Sequence, residues 1–148
     1  MLIAEGFKPL EFRGRRPPGK YIGRRIAIHA AARKVNVDEV RDLLLQLQTR
    51  MPGVAASTGL VRHAEAAARL AQVILHPREL PLGSIICTAV LGEPLRNAEL
   101  AARMGVDLVN DSDRHQHTNW GWPLSDIERV EPMVPARGMQ CWWEWTPA

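Results

Sequence analysis

Residues 82–91 read Leu-Gly-Ser-Ile-Ile-Cys-Thr-Ala-Val-Leu, an uncharged apolar run of strand length that is rich in β-branched side chains. Such a segment fits a strand covered by the rest of the fold, so the run predicts a buried central strand. At 148 residues the chain suffices for one domain, and that length buries roughly two thirds of the surface its unfolded form exposes. Residues 1–148 are therefore read as a single domain that needs neither a disulfide nor a metal for stability.

A second segment feeds the same core. Arg25-Ile26-Ala27-Ile28-His29-Ala30 alternates as a half-buried strand does, predicting a strand over Arg24 to Ala30. It follows an unusually basic stretch: residues 1–34 hold nine Lys and Arg against Glu5 and Glu11, a balance of +7, so residues 35–148 carry −4 of the net +3. A basic tail would be polar throughout. Charges that run into an alternating strand instead line a folded surface, and they suit a phosphate-bearing or otherwise anionic partner. Solvation of a surface loop is the alternative.

The remaining elements follow from periodicity and punctuation. A turn is expected over Ile3 to Gly6, an extended segment over Lys8 to Arg13, and a flap over Gly14 to Lys20, where two glycines and two prolines interrupt regular structure. Asn36 with Glu39 forms a helix N-cap pattern, and Val37, Val40, Leu44 and Leu47 fall on one face of the helix that Met51-Pro52-Gly53 ends. A second helix is expected from Leu60 to Ile74, with Leu60, Ala64, Ala67, Ala71 and Ile74 on one side and Pro77 and Pro81 beyond it. Residues 36–76 thus form a two-helix insertion between strands. A short helix from Asn97 to Met104 stops at Gly105, and Asn110 to Asn119 is a polar loop. Strands are expected at Trp120 to Leu124, Ile127 to Val130 and Cys141 to Trp145, a region that holds all five tryptophans.

Cys87 and Cys141 lack CxxC spacing, and Cys87, inside the apolar run, reads as a small core residue. No basic-then-apolar leader is present, and no apolar segment nears the roughly 18 residues of a membrane span. A cytoplasmic protein is expected.

Several of these segments, in this order, resemble a known family. Gly6-x-Lys8-x-x-Glu11-x-Arg13, then Tyr21-x-Gly23 leading into Ile28-His29-Ala30, resembles the opening of the ASCH domain, a relative of the PUA RNA-binding domain. Gly83-Ser84-Ile85-Ile86-Cys87-Thr88-Ala89 is similar to its central strand. Trp120-Gly121-Trp122-Pro123-Leu124 with Pro135-x-Arg137-Gly138-x-Gln140-x-Trp142 resembles its C-terminal pair. The resemblance implies an α+β fold: a small PUA-like β-barrel with surrounding helices and a cleft into which the Gly-x-Lys segment projects. The family's usual opening strand, with its Gln-Pro-Trp type sequence, has no counterpart ahead of Met1, which implies a barrel completed differently or a cleft more open on that side.

In an extended chain Glu11 and Arg13 share a face while Lys8 points opposite to Arg13; a turn or bulge at Pro9 brings the three together. Desolvation and a neighbouring cation would lower the Lys8 pKa and free a neutral amine, with Glu11 pulling the other way. Some bacterial ASCH proteins that this segment resembles remove an acyl group from the exocyclic amine of N(4)-acylcytidines without a metal. In them the lysine works with a hydroxyl residue three positions later and with a more distant glutamate. Here Lys8 fills the lysine position and Glu11 replaces the hydroxyl. The resemblance then implies water activated by Glu11 or Lys8 as general base, an oxyanion held by Arg13 or backbone N–H groups, and Glu93 or Glu99 as the distant carboxylate. A purely structural ion pair of Glu11 with Arg13 or Lys8 is the alternative.

Tyr21, Arg24, His29, Trp120 and Trp122 are the expected substrate-binding residues, with indoles able to stack on an unpaired base. For His29 the favoured alternative is a hydrogen-bonded structural histidine, and Trp142 is assigned to the barrel interior. His115 and His117, near Asp111 and Asp113, lack a recognisable third metal ligand, so no metal and no cofactor are expected. The function expected is a metal-independent amidohydrolase for N(4)-acylated cytidine, free or within RNA. The alternatives are an RNA-binding module that grips the backbone through Arg13 to Arg25, with steep salt dependence, or a ribonuclease using Lys8 and Arg13.

Overall fold

The computed structural model of the protein describes residues 1–112, 119–139 and 142–145. Its elements run β1 (Leu10–Arg13), β2 (Arg25–Ala30), α1 (Val37–Gln48), α2 (Val54–Ser57), α3 (His63–Leu75), β3 (Ser84–Leu91), β4 (Leu95–Arg96), α4 (Asn97–Met104) and β5 (Trp120–Pro135). Every strand pairing is antiparallel, in the order β1-β5-β3-β2, with β4 on β5. The result is an α+β fold around a curled sheet that forms part of a barrel and ends at β1 and β2.

β3 is the predicted central strand, with Ile85, Ile86, Cys87, Ala89 and Leu91 all buried. Four successive residues, Ser84 to Cys87, are buried, more than the alternation of a half-covered strand gives, and the register explains them. β2 steps from Ile28 opposite Cys87 to His29 opposite Ile85, while β5 steps from Arg129 opposite Cys87 to Val134 opposite Ile85. Both neighbours therefore skip Ile86, and this bulge lets consecutive side chains turn inward.

The two strands expected at 120–124 and 127–130 are one strand of 16 residues. Its first residues are flanked on one edge by β1 and on the other by β4; from Leu124 onward β3 takes over from β4. Gly121 sits where the sheet is most crowded. A Cβ there would collide with a Leu100 δ-methyl, so the strand passes α4 only because this position has no side chain. The strand expected at Cys141 to Trp145 is not formed: Trp142 to Trp145 have no regular structure, and Cys141 lies outside the described residues.

The insertion between β2 and β3 holds α1 and α3 as expected, with the one-turn α2 between them. Asn36 caps α1 by accepting a hydrogen bond from Asp38 N–H at 3.0 Å. The α1 face is the expected one, with Val40 and Leu47 buried, Leu43 beside them and Leu44 against the cluster; on α3 the buried residues are Ala66, Leu70 and Val73, with the expected Ala67 and Ile74 packed alongside and Ala64 exposed. Small alanines carry little information about which side is inward, and here the larger Leu70 and Val73 decide it. These residues form one apolar cluster with Leu60. The N-terminal turn joins it to the sheet, with Ile3 in the core beneath β3 and Leu2 and Phe7 against the helices. A third cluster of Phe12, Leu100, Ala101 and Val109 backs β1. Among the described residues no helix is long and apolar enough to cross a membrane.

Candidate functional site

Lys8 stands just before β1, and its ammonium lies 2.9 Å from the Glu11 carboxylate and 2.7 Å from that of Asp111. The other Glu11 oxygen meets Arg13 Nη2 at 2.7 Å. The chain leaves the strand at Pro9, which lets Lys8 reach residues it would face away from in an extended segment. The Lys8, Glu11 and Asp111 side chains are only 15, 18 and 13% exposed, whereas Arg13 is open to solvent. Lys8 also lies 5.9 Å above the Phe12 ring centroid.

The electrostatics reverse the expected role of Lys8. Burial disfavours its charge, but Glu11 and Asp111, by proximity and hydrogen bonding, more than offset that effect and hold its pKa above the ordinary lysine value. Lys8 is an ammonium throughout the physiological range. It can donate hydrogen bonds and stabilise negative charge, and it cannot serve as a general base.

Asp111 is the carboxylate that sequence reasoning did not select. Neither expected candidate reaches Lys8: Glu93 pairs with Arg16, and Glu99 pairs with Arg103 at 2.5 Å one helical turn away. Asp111 is delivered by a clamp. Asn97, the buried first residue of α4, donates from Nδ2 to Val109 O at 2.5 Å and accepts from Val109 N–H at 3.0 Å. One residue on, Asn110 N–H donates to Ser57 O at 2.7 Å. An Asn paired with a distant backbone unit leaves no local pattern, so nothing in the sequence marked this contact.

The β1–β5 register sorts the other candidates. Glu11 lies opposite Trp122 and Arg13 opposite Trp120, while Leu10 and Phe12 face Pro123 and Gly121. Directly opposed residues of an antiparallel pair share a face, so Glu11, Arg13, Trp120 and Trp122 occupy one side of the sheet. On that side Trp122 Nε1 donates to Arg15 O at 3.0 Å, and Asn119 donates to Gly14 O at 3.2 Å. These bonds pin to β5 the loop expected to be a flap. Tyr21 stacks on Trp142 at 4.3 Å between centroids, and Trp142 stacks on Trp122 at 5.6 Å, with interplanar angles of 20° and 13°. Trp142 is half-buried and packs against the sheet core, in line with its expected inward placement.

Other expected contacts lie elsewhere or are occupied. One face of Trp120 is covered by the Arg96 guanidinium at 4.0 Å. His29 has the structural role: its Nε2 lies 3.0 Å from Ala136 O, its ring meets Trp143 edge-on, and a Cβ on Gly138 would come within 2.5 Å of it. Arg24 is exposed, with no side-chain ion pair among the described residues. Of the nine N-terminal cations, Lys8, Arg13, Arg16 and Arg25 are paired with carboxylates. Arg15, Lys20, Arg24, Arg33 and Lys34 are exposed and have no carboxylate partner among the described residues.

A concavity of about 250 Å³ lies beside the β2–α1 connection near Arg33 and Lys34, and another of about 140 Å³ lies against α3 at Arg69 and His76. Lys8 lines neither. No group of three or more metal-ligating side chains occurs among the described residues, and His115 and His117 lie outside them. No protein-family model matches the chain, and no curated protein matches it in sequence.

Proposed function

We propose that the protein is a metal-independent amidohydrolase that removes the acyl group from N(4)-acylated cytidine, built on a PUA-like sheet of the ASCH type. The observation that carries this reading is the enclosed triad of Lys8, Glu11 and Asp111. Burying three charges costs several kcal/mol per ion before pairing, of order 3 to 10, and a fold that needed only to secure a loop would do so with apolar contacts. In this reading Asp111 takes the part of the distant carboxylate, in place of the glutamate that the ASCH resemblance implies.

In this reading Asp111 takes a proton from water as its oxygen attacks the acyl carbon, and Lys8 donates to the oxyanion that forms. Glu11, bridging Lys8 and Arg13, fixes the direction of both cations. The C–N bond then breaks, the proton passes to the departing exocyclic amine, and cytidine and a carboxylic acid leave. Purified protein should release cytidine from N(4)-acetylcytidine, followed by chromatography, and Lys8→Met and Asp111→Asn should each lose that release. No cytidine from wild type across several acyl groups would sink the proposal.

A second reading rests on the five exposed N-terminal cations that have no carboxylate partner among the described residues, which suit the phosphates of an RNA strand, for binding or cleavage. Binding of that kind weakens steeply as salt rises, because each neutralised phosphate releases counterions. Hydrolysis of a free nucleoside is nearly indifferent to salt.

A further inference from the structure

The rings of Tyr21 and Trp122 face one another across a gap filled by a single flat side chain, Trp142, nearly parallel to both. Both walls are anchored. Tyr21 ends a short 3-10 turn after Pro18, and Trp122 is fixed within β5 and by its indole bond to Arg15 O. The occupant is held differently. It belongs to a C-terminal segment without helix or strand, which Ala136 ties to β3 and β2 through its N–H to Gly83 O at 2.9 Å and its carbonyl to His29. Beyond Ala136 no backbone hydrogen bond joins residues 137–139 or 142–145 to the sheet among the described residues.

One wall, Trp122, lies directly across the strand pair from Glu11 and on the same side of the sheet. Stacking between two aromatic faces is worth about 1–3 kcal/mol per base in proteins that bind single strands, and it tolerates any planar ring.

We propose that the Tyr21–Trp122 slot is a binding site for a planar heteroaromatic ring, and that Trp142 is its built-in occupant, displaced when the ligand enters. The fold thus carries its own competitor: the affinity measured for a ligand is reduced by the fraction of molecules in which Trp142 is out. The choice of cytosine as the ring rests on the amidohydrolase reading; the slot and its plug do not.

The test uses the full chain and cytidine, which is not hydrolysed, as probe. Wild type labelled with ¹⁵N is titrated with cytidine while the five indole N–H signals are followed, Trp142 being assigned by its loss in Trp142→Phe. The Trp142 signal should move saturably. In Trp142→Ala, calorimetry should give cytidine binding at least about tenfold tighter, as expected when the open slot is populated a tenth of the time or less. A Trp142 signal that stays fixed at saturating cytidine overturns the proposal, and so does unchanged or weaker binding by folded Trp142→Ala. Should that variant not fold, the wild-type titration decides alone. Displacement of Trp142 by cytidine without hydrolysis of N(4)-acetylcytidine upholds the slot and removes the enzyme reading. Hydrolysis with the same KM in wild type, Tyr21→Ala and Trp142→Ala upholds the enzyme and removes the slot.

Discussion

Replacing Lys8 with Met keeps most of the buried stem and removes the charge that joins Glu11 to Asp111. The wild-type ammonium sits 2.9 and 2.7 Å from the two carboxylates, with all three side chains less than a fifth exposed. Removing one partner of a buried pair costs about 3–5 kcal/mol, since the other charge is left without compensation. Glu11 retains Arg13 at 2.7 Å, so the loss falls mainly on Asp111 and belongs at the low end, about 3 kcal/mol. For a chain of this size that is a fall in Tm of roughly 6–12 °C. Because the folded pKa of Lys8 is raised, its contribution is fully present below the ordinary lysine value of 10.5 and is lost only as pH climbs through the higher folded value. Urea denaturation of both proteins at pH 7 and pH 9 should therefore give the same difference. Adding Asp111→Asn to Lys8→Met should recover at least about 1 kcal/mol, the coupling of residues in contact. A difference below about 0.5 kcal/mol, the ordinary range for surface substitutions, would refute the enclosed-triad argument. A difference that shrinks between pH 7 and pH 9 would show a Lys8 that deprotonates there, and would return it to the role of base.

Three further outcomes test other parts of the structure. Asn97→Ala leaves Val109 N–H and C=O without their buried partner; it should lower stability by about 2–4 kcal/mol in urea denaturation and reduce any Asp111-dependent activity along with it. Gly59→Ala combines a left-handed φ of 67° with a Cβ only 2.7 Å from the Phe12 ring, so thermal denaturation should show a loss of about 2–4 kcal/mol from strain and overpacking together. Cys87 is buried, and desolvation pushes its thiol up to about 11; mass mapping after iodoacetamide at pH 8 should find it unmodified in the folded protein and alkylated in denaturant.

Much of the scaffold was legible because it is written locally. The apolar run at 82–91, the alternation at 25–30, the Asn36 cap and the stop at Gly105 each specify their element with residues a few positions apart. The strands at 120–135 were read as two because Ser125 and Asp126 break the apolar pattern. Asp126 instead takes a positive φ of 48° at a register shift, and the strand continues past it. The site was half legible. Lys8, Glu11 and Arg13 lie within one short segment, whereas Asp111 arrives through the long-range hydrogen bonds of Asn97 and joins Glu11 in holding Lys8 as a fixed cation instead of a prospective base. The basic character of residues 1–34 was visible, but its strength was not, since the partners Glu93, Asp126 and Glu128 that neutralise Arg16 and Arg25 lie in other parts of the chain.

The length of β5 bears on how the protein comes apart. One continuous strand hydrogen-bonds to β1 and β4 at its start and to β3 over the rest. As the edge strand, β1 can part from β5 over Trp120–Pro123 and take Glu11 with it, while β5 from Leu124 onward stays paired with β3 at Leu91 and Cys87. Amide exchange should therefore be faster along β1 than at Ala89, with the β3–β5 ladder the last part of the sheet to open. The helical pair, joined to the sheet through the N-terminal turn and its own separate apolar cluster, is free to open ahead of it.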